Sequence, residues 1–188
     1  VLEVTDPDKP DVPRYFAVTE YVTAIGSPDN ESISLTEYIK RNGAVNERTA
    51  LVLCTQLCIG LREFHEKGFV HRDLKPDNLM ISHYDSDNMQ IKIVDFGGAK
   101  WNNPDKHADT TVVGTLGYQA PESLAVPATE QSDIYSIGCI LNYLLTGREP
   151  GLIRYKGNHY IENIIEIATS NDPYDRYTNV TEMQKTLE

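Results

Sequence analysis

The chain has 188 residues, of which 40% are hydrophobic and 24% charged, and this composition is ordinary for one globular domain with a sizeable core. Its formal net charge of −11 argues against a nucleic-acid-binding protein, because phosphate backbones attract basic surfaces. No apolar run reaches the roughly 20 residues of a membrane helix, so a membrane segment would have to lie outside this chain. Three Cys without a secretory signal indicate reduced thiols and a cytoplasmic protein.

The first 25 residues predict strands on either side of a loop. Residues 1–4 are short and β-prone, and residues 15–22 are rich in aromatic and β-branched side chains. Between them, residues 6–13 carry three Pro, which predict a loop rather than a helix or a central strand. A polar linker follows over residues 26–32.

Two helices are predicted next. Ser34 and Glu37 fit a capping box, so a short helix begins there and ends near Gly43. Asn46 can cap a longer helix, and Gly68 is placed to end it in a left-handed conformation. One apolar face recurs at helical spacing along this second helix: Ala50, Leu53, Cys54, Leu57, Leu61 and Phe64.

The second half predicts a β-hairpin and then further helices. Residues 79–81 and 91–94 form the strands of the hairpin, and residues 99–119 form an irregular polar loop. The later elements are a short helix from Ala120, a buried helix that Thr129 or Ser132 caps and Gly147 ends, and helices over residues 160–169 and 178–188.

One dense turn, residues 71–78, carries groups that suit phosphoryl transfer. Such a reaction needs an Asp to orient a hydroxyl nucleophile, a Lys to neutralise phosphate charge and an Asn to help hold a metal ion. Asp73, Lys75 and Asn78 supply these groups within six residues. The composition alone would also fit a solvated loop.

Four motifs in a fixed order argue against a solvated loop that arose by chance. They are His71-Arg72-Asp73 with Lys75 and Asn78, Asp95-Phe96-Gly97, the run from Gly114 to Glu122 that ends in Ala120-Pro121-Glu122, and the run from Asp133 to Gly138. Together they resemble the catalytic loop, the metal-binding motif, the end of the activation loop and the start of the central helix of protein kinases. Lys75, two positions after the Asp, resembles the serine/threonine-specific form.

The resemblance implies the C-terminal lobe of the protein-kinase-like fold, mainly α with small β-hairpins (α+β). Residues 1–25 would be the last strands of the N-terminal lobe and the hinge, and residues 26–188 the C-terminal lobe. It also implies a serine/threonine kinase, a transferase that uses ATP and Mg²⁺ and acts on Ser or Thr hydroxyls of proteins.

The resemblance assigns catalytic roles residue by residue. Asp73 would orient the substrate hydroxyl, and Lys75 would contact the transferred phosphate. Asn78 and Asp95 would hold Mg²⁺. Thr115 would shape the substrate groove.

Further positions follow from the same resemblance. The nucleotide would lie against Thr19, Glu20, Val22 and Met80. Thr110 or Thr111 would be a regulatory phosphosite, because the Arg72 that precedes Asp73 can pair with a phosphate. Structural roles fall to His71, Arg72, Phe96, Gly97, Glu122, Asp133 and Arg176, with Glu122 and Arg176 forming an ion pair and Asp133 bracing the catalytic loop.

The pattern departs from the family in its first part. The chain contains no G-x-G-x-x-G, and Lys9 is the only Lys before Thr19. In the family, a glycine-rich loop and a strand Lys position the nucleotide phosphates, and Lys9, in a predicted loop, cannot be that Lys. The expectation is therefore a truncated kinase domain that is inactive alone. The alternatives are a catalytically silent, kinase-like regulatory or scaffold module and, less favoured, a small-molecule kinase.

Overall fold

The computed structural model describes residues 2–6, 9–16, 22–23, 32–83, 88–101 and 117–188. Helices dominate this part of the chain, and the strands pair as three short antiparallel ribbons. The helices are α1 Leu35–Asn42, α2 Glu47–Glu66, α3 Glu130–Thr146, α4 His159–Ala168 and α5 Val180–Leu187. The strands are β1 Leu2–Asp6, β2 Lys9–Phe16, β3 Phe69–Val70, β4 Leu79–His83, β5 Gln90–Ile93 and β6 Lys100–Trp101. This architecture confirms the predicted mainly helical class with small β-hairpins.

The first ribbon corrects the prediction for residues 6–13. Strand β2 begins at Lys9 and runs through Pro10 and Pro13, and its register places Thr5 opposite Pro13. The prolines argued correctly against a central strand, but β1 and β2 form a two-stranded sheet within the described residues. In a two-stranded sheet each strand has one edge that does not pair with another strand. A Pro whose nitrogen faces that edge removes no hydrogen bond between the strands.

Helix starts follow the predicted caps. The Ser34 hydroxyl accepts a hydrogen bond from the Glu37 N–H at 3.2 Å, so Ser34 caps the helix as predicted. The other half of the predicted capping box is wrong, because the Glu37 carboxylate accepts from Arg41 Nε at 2.7 Å and, among the described residues, does not return a bond to the Ser34 N–H. Asn46 Oδ1 accepts from the Thr49 N–H at 2.9 Å. The bonds to Ser34 and Asn46 satisfy N–H groups that the first turn of a helix leaves without partners.

Helix α3 also begins and ends as predicted. Thr129 caps it in a reciprocal box, in which the Thr129 N–H donates to Ser132 Oγ at 3.1 Å. Gly147 ends it at φ 64°, and its N–H donates to the Tyr143 carbonyl at 2.7 Å. Gly68 likewise turns the chain at φ 78° after α2. Glycine suits both ends because a Cβ disfavours this left-handed backbone.

The core forms around α3, which packs against α2, α4 and α5. Most of α3 is buried on all sides, as its apolar sequence predicts, and Gly138 lets α4 approach closely. All three cysteines are free and buried, and burial raises the pKa of the Cys58 and Cys139 thiols to about 12. Among the described helices, none is both long and apolar enough to cross a bilayer.

Two ribbons frame the turn at residues 71–78. β4 and β5 form the predicted hairpin, with Leu79 opposite Ile93. The prediction of an irregular loop over residues 99–119 is wrong at its start, because β6 pairs with β3 and places Trp101 opposite Phe69. A two-residue pairing of this kind depends on the tertiary approach of distant segments and has no local sequence pattern.

Candidate active site

The turn at residues 71–78 is held from behind by a buried carboxylate. Asp133 lies at the start of α3 and its side chain is fully buried. Its Oδ2 accepts from the His71 N–H at 2.9 Å, and its Oδ1 accepts from the Arg72 N–H at 3.0 Å. His65 Nε2 lies 2.8 Å from the same Oδ2. One charged group thus ties α2, α3 and the turn together, and hydrogen bonds to a charged group are stronger than neutral ones.

Two residues of the site adopt left-handed backbone conformations. Arg72 has φ 74° and Asp95 has φ 61°, and they are the non-glycine residues with positive φ in the described chain. Such conformations cost about 1–3 kcal/mol each and persist where surrounding contacts enforce them. The Asp133 bond to the Arg72 N–H is one such contact.

Asp73, Lys75 and Asn78 converge on one another, as the sequence predicts for a single turn. Lys75 Nζ lies 3.1 Å from Asp73 Oδ2. Asn78 Nδ2 donates to the Asp73 carbonyl at 2.9 Å and to Asp73 Oδ2 at 3.2 Å. Both bonds use the Asn78 amide nitrogen, so the Oδ1 atom is the one that a cation could contact.

The β4–β5 hairpin brings Asp95 to the same end of the site. Asn78 precedes β4 and Asp95 follows β5 by two residues, and the Val94 N–H donates to the Asn78 carbonyl at 2.9 Å. Asp95 is exposed, and its Oδ1 accepts from the Gly97 N–H at 3.1 Å. A Cβ at residue 97 would lie 3.0 Å from that oxygen, which explains why a glycine suits this turn.

The two sides of the site are joined by packed rings. Phe96 lies 5.2 Å from the His71 ring and 5.5 Å from the Phe64 ring, measured between centroids. His71 is fully buried, and burial lowers its pKa although the carboxylates of Asp133, Asp73 and Asp95 oppose that shift. A buried, neutral imidazole that packs against Phe96 suits a structural role for His71 better than a role in proton transfer.

Glu122 and Arg176 form a bidentate ion pair away from the turn. Arg176 Nη1 and Nη2 each lie 2.8 Å from a different Glu122 oxygen. Ser132 Oγ donates to Glu122 at 3.1 Å, and Arg176 also stacks over the Tyr135 ring at 4.9 Å. Burial would raise the Glu122 pKa, but the hydrogen bonds from Arg176 outweigh it and the pKa is lowered.

The positions predicted to contact a nucleotide are described only in part. Val22 is buried, and its carbonyl accepts from Ser32 Oγ at 2.7 Å. Met80 lies half-buried in β4 and bridges to Ser34. Five predicted positions lie outside the described residues: Thr19, Glu20, Thr110, Thr111 and Thr115.

Two contributors escaped the sequence prediction. His65 belongs to none of the four motifs, yet its Nε2 lies 2.8 Å from Asp133 Oδ2. Its position four residues after Leu61 on the apolar face of α2 is the signal that places it inside. Ser32 was predicted to lie in a polar linker, and no local sequence pattern predicts the hydrogen bond from its hydroxyl to the Val22 carbonyl.

The residues suit a magnesium–nucleotide complex. Asp95 and Asn78 offer a carboxylate and an amide oxygen, which are ligands that Mg²⁺ accepts, and protein sites for Mg²⁺ commonly supply one or two ligands and leave the rest to phosphates and water. Lys75 lies beside them with its positive charge at a partly exposed position.

Comparison with known proteins agrees with this geometry. The family described as "Protein kinase domain" matches residues 14–187. The chain is 33% identical to the serine/threonine-protein kinase PrkC of Bacillus subtilis, over 90% of this chain and 28% of that protein. It is 37% identical to the serine/threonine-protein kinase ATG1b of Arabidopsis thaliana, over 73% of this chain and 19% of that protein.

A probable serine/threonine-protein kinase PknB of Lactococcus lactis is 32% identical, over 81% of this chain and 27% of that protein. The chain thus spans less than a third of the length of these three relatives. The family match covers nearly all of the chain and includes each of the four motifs. The chain therefore belongs to the protein kinase domain family.

Proposed function

We propose that this chain contributes the catalytic lobe of a serine/threonine protein kinase, which transfers the γ-phosphate of ATP to a protein hydroxyl. The observation that carries the proposal is the convergence of Asp73, Lys75 and Asn78 within hydrogen-bond or ion-pair distance, with Asp95 at the adjacent hairpin end. A surface loop has no physical need for these four groups together.

The chain's own residues divide the work of the reaction. The Asp73 carboxylate accepts the proton of the substrate hydroxyl or orients it. In the proposed reaction Lys75, whose Nζ lies 3.1 Å from Asp73 Oδ2, contacts the transferred phosphate. Asn78 and Asp95 would hold Mg²⁺, which supplies positive charge to the phosphate oxygens when it is bound.

Serine/threonine specificity is proposed from Lys75 and from the three relatives described above, which are named as serine/threonine-protein kinases. Protein substrates are part of the same proposal. The free state of the three buried thiols supports a cytoplasmic setting.

The remaining site residues are assigned in the same proposal. Adenine would lie against Val22, Met80, Thr19 and Glu20, and Thr115 would border the substrate groove. Thr110 or Thr111 would carry a regulatory phosphate near Arg72. Residues 1–25 would belong to the hinge and the N-terminal lobe, and residues 26–188 to the C-terminal lobe.

A second candidate is a catalytically silent, kinase-like regulatory or scaffold module. The 188 residues contain no G-x-G-x-x-G, a sequence that covers the phosphates of ATP in protein kinases. We accordingly propose that the 188-residue chain transfers phosphate at a negligible rate by itself, and that activity belongs to the full-length protein.

The test offers several acceptors to the full-length protein with Mg²⁺ and γ-labelled ATP. Ser, Thr and Tyr peptides and a sugar are compared, and products are identified by mass spectrometry. We expect phosphoserine and phosphothreonine from wild type and from Asp77→Asn, which changes an exposed carboxylate in the same turn, but not from Asp73→Asn. Equal products from all three proteins, or none from any, would favour the scaffold, and labelled sugar alone would indicate a small-molecule kinase.

A further inference from the structure

Three consecutive residues, Ser32 to Ser34 (the 32–34 segment), join two positions that the proposed function places against adenine. The Ser32 hydroxyl donates to the Val22 carbonyl at 2.7 Å, although these two residues lie ten positions apart in the chain. Ser34 forms an antiparallel β-bridge with Met80 of β4. The 32–34 segment therefore contacts Val22 through its first residue and Met80 through its last.

The 32–34 segment is itself fixed to the helical part of the fold. The Ile81 N–H donates to the Ile33 carbonyl at 2.9 Å, beside the bridge that Ser34 makes to β4. The Ser34 hydroxyl also caps α1, and Leu35, the first residue of that helix, is fully buried. A residue that is tied to this segment is therefore tied to a rigid support.

The same support reaches the turn at residues 71–78. Helix α1 packs against β4 and against the short 3₁₀ helix Pro76–Asn78. Asn78 of that short helix donates to Asp73 Oδ2 at 3.2 Å. Through α1, the bond from Ser32 therefore links the position of Val22 to that of the groups proposed for phosphate transfer.

Val22 is held at its side chain as well as at its carbonyl. The side chain is buried and lines a cavity of about 340 Å³ together with Leu57 of α2 and Ile93 of β5. Apolar contact of this kind is non-directional, so it keeps the side chain inside without setting the direction of the backbone. A hydrogen bond is directional, and the Ser32 hydroxyl therefore fixes where the Val22 carbonyl points.

We propose that Ser32 is a positioning residue for the nucleotide, because its hydroxyl fixes the Val22 backbone relative to Met80. The proposal rests on the proposed function for the identity of the ligand, and it gives Ser32 no part in the phosphate chemistry. Without the hydroxyl, Val22 adopts the binding geometry in only a fraction of the molecules. The apparent Kd for the nucleotide then rises by the inverse of that fraction.

The test titrates the full-length protein with Mg²⁺–ADP in a calorimeter, which measures nucleotide affinity without phosphate transfer. Ser32→Ala should raise the Kd about three- to tenfold, the range that the net contribution of one hydrogen bond represents. Ser32→Thr keeps a hydroxyl and should stay within about twofold of wild type. Ser170→Ala removes a hydroxyl that forms no hydrogen bond within the described residues, and it should also stay within about twofold.

Steady-state kinetics separate positioning of the nucleotide from a general structural role. At saturating Ser/Thr peptide, Ser32→Ala should raise the KM for ATP about threefold or more and leave kcat within about twofold, because it removes binding that the ground state and the transition state share. A purely structural defect would instead lower kcat, through a smaller fraction of folded protein, and leave the KM unchanged.

Three outcomes would overturn the assignment of Ser32 and leave the proposed function standing. They are a Kd of Ser32→Ala equal to that of Ser170→Ala, a Kd raised as much by Ser32→Thr as by Ser32→Ala, and a loss of kcat in Ser32→Ala with an unchanged KM.

The proposed function fails in a different way. A protein that binds ADP more weakly after Ser32→Ala but transfers no phosphate would support the positioning role and overturn the kinase activity. Absence of ADP binding by the wild type up to about 1 mM would overturn both.

Discussion

Asp133→Asn replaces one carboxylate oxygen by an amide NH₂ group, at a site where the carboxylate meets three hydrogen-bond donors. In the wild type, Oδ2 serves the His71 N–H at 2.9 Å and His65 Nε2 at 2.8 Å, while Oδ1 serves the Arg72 N–H at 3.0 Å. The amide oxygen of Asn can occupy only one of these two positions. We expect it to take the Oδ2 position, because this keeps two bonds and leaves only the Arg72 N–H facing an amide N–H group.

The size of the effect follows from those bonds. A donor left without an acceptor costs about 1–3 kcal/mol, and the two remaining bonds weaken because the acceptor loses its charge. The expected loss in the free energy of unfolding is about 2–4 kcal/mol, a large part of the roughly 5–15 kcal/mol that stabilises a typical domain. The Arg72 backbone at φ 74° also loses a bond that holds it.

Urea unfolding of the purified variants measures this loss. Asp175→Asn removes the same charge from an exposed position and should stay within about 0.5 kcal/mol of wild type. If Asp133→Asn were as stable as Asp175→Asn, the inference that Asp133 holds the turn at residues 71–78 through charged hydrogen bonds would be refuted.

Two further predictions concern packing and pH. A Cβ at Gly138 would lie 2.7 Å from Ala168 Cβ, so Gly138→Ala should lower the free energy of unfolding by about 1–3 kcal/mol, whereas Gly60→Ala meets only the end of the Ile93 side chain at 3.3 Å and should gain up to about 1 kcal/mol of helix propensity. Urea denaturation of both variants measures these changes. If the free energy of unfolding changed in the same direction in both, the prediction would be contradicted. The lowered pKa of His71 means that its contribution to stability is complete above about pH 6.5 and is lost as the pH falls through the folded-state value. His71→Phe, which keeps the ring against Phe96, should therefore flatten the stability profile measured from pH 7.5 to 5.5, and parallel profiles would show that His71 does not titrate as inferred.

Helix boundaries were predictable because their signals are local. Ser34, Asn46 and Thr129 cap helices through bonds to residues three positions away, and Gly68 and Gly147 end them through their own backbone conformation. The convergence of Asp73 and Asn78 is local as well, because a five-residue separation on one turn leaves little freedom. The sequence was therefore sufficient to predict most helices and the proximity of Asp73, Lys75 and Asn78.

Features that depend on distant partners were not predictable. Pro10 and Pro13 are compatible with a strand only because β2 lies at the edge of a two-stranded ribbon. His65 acquires its part in the site from Asp133, 68 residues further along the chain. The Asn142 side chain holds the loop that follows α3 through hydrogen bonds to the backbone of Ile153 and Tyr155. A polar residue in an apolar helix does not predict which residues it will contact. In each case the decisive contact joins segments whose approach is set by the whole fold.

The central claim is that Asp73 acts on the substrate hydroxyl and not on the nucleotide. The most direct measurement determines, for the same preparation of the full-length Asp73→Asn variant, the rate of γ-phosphate transfer to a Ser/Thr peptide and the Kd for Mg²⁺–ATP. Loss of a positioned acid–base group typically costs about 10²–10⁴ in rate, so we predict a loss of that order with the Kd unchanged within about twofold. Transfer at the wild-type rate, or a loss explained entirely by weaker nucleotide binding, would contradict the account.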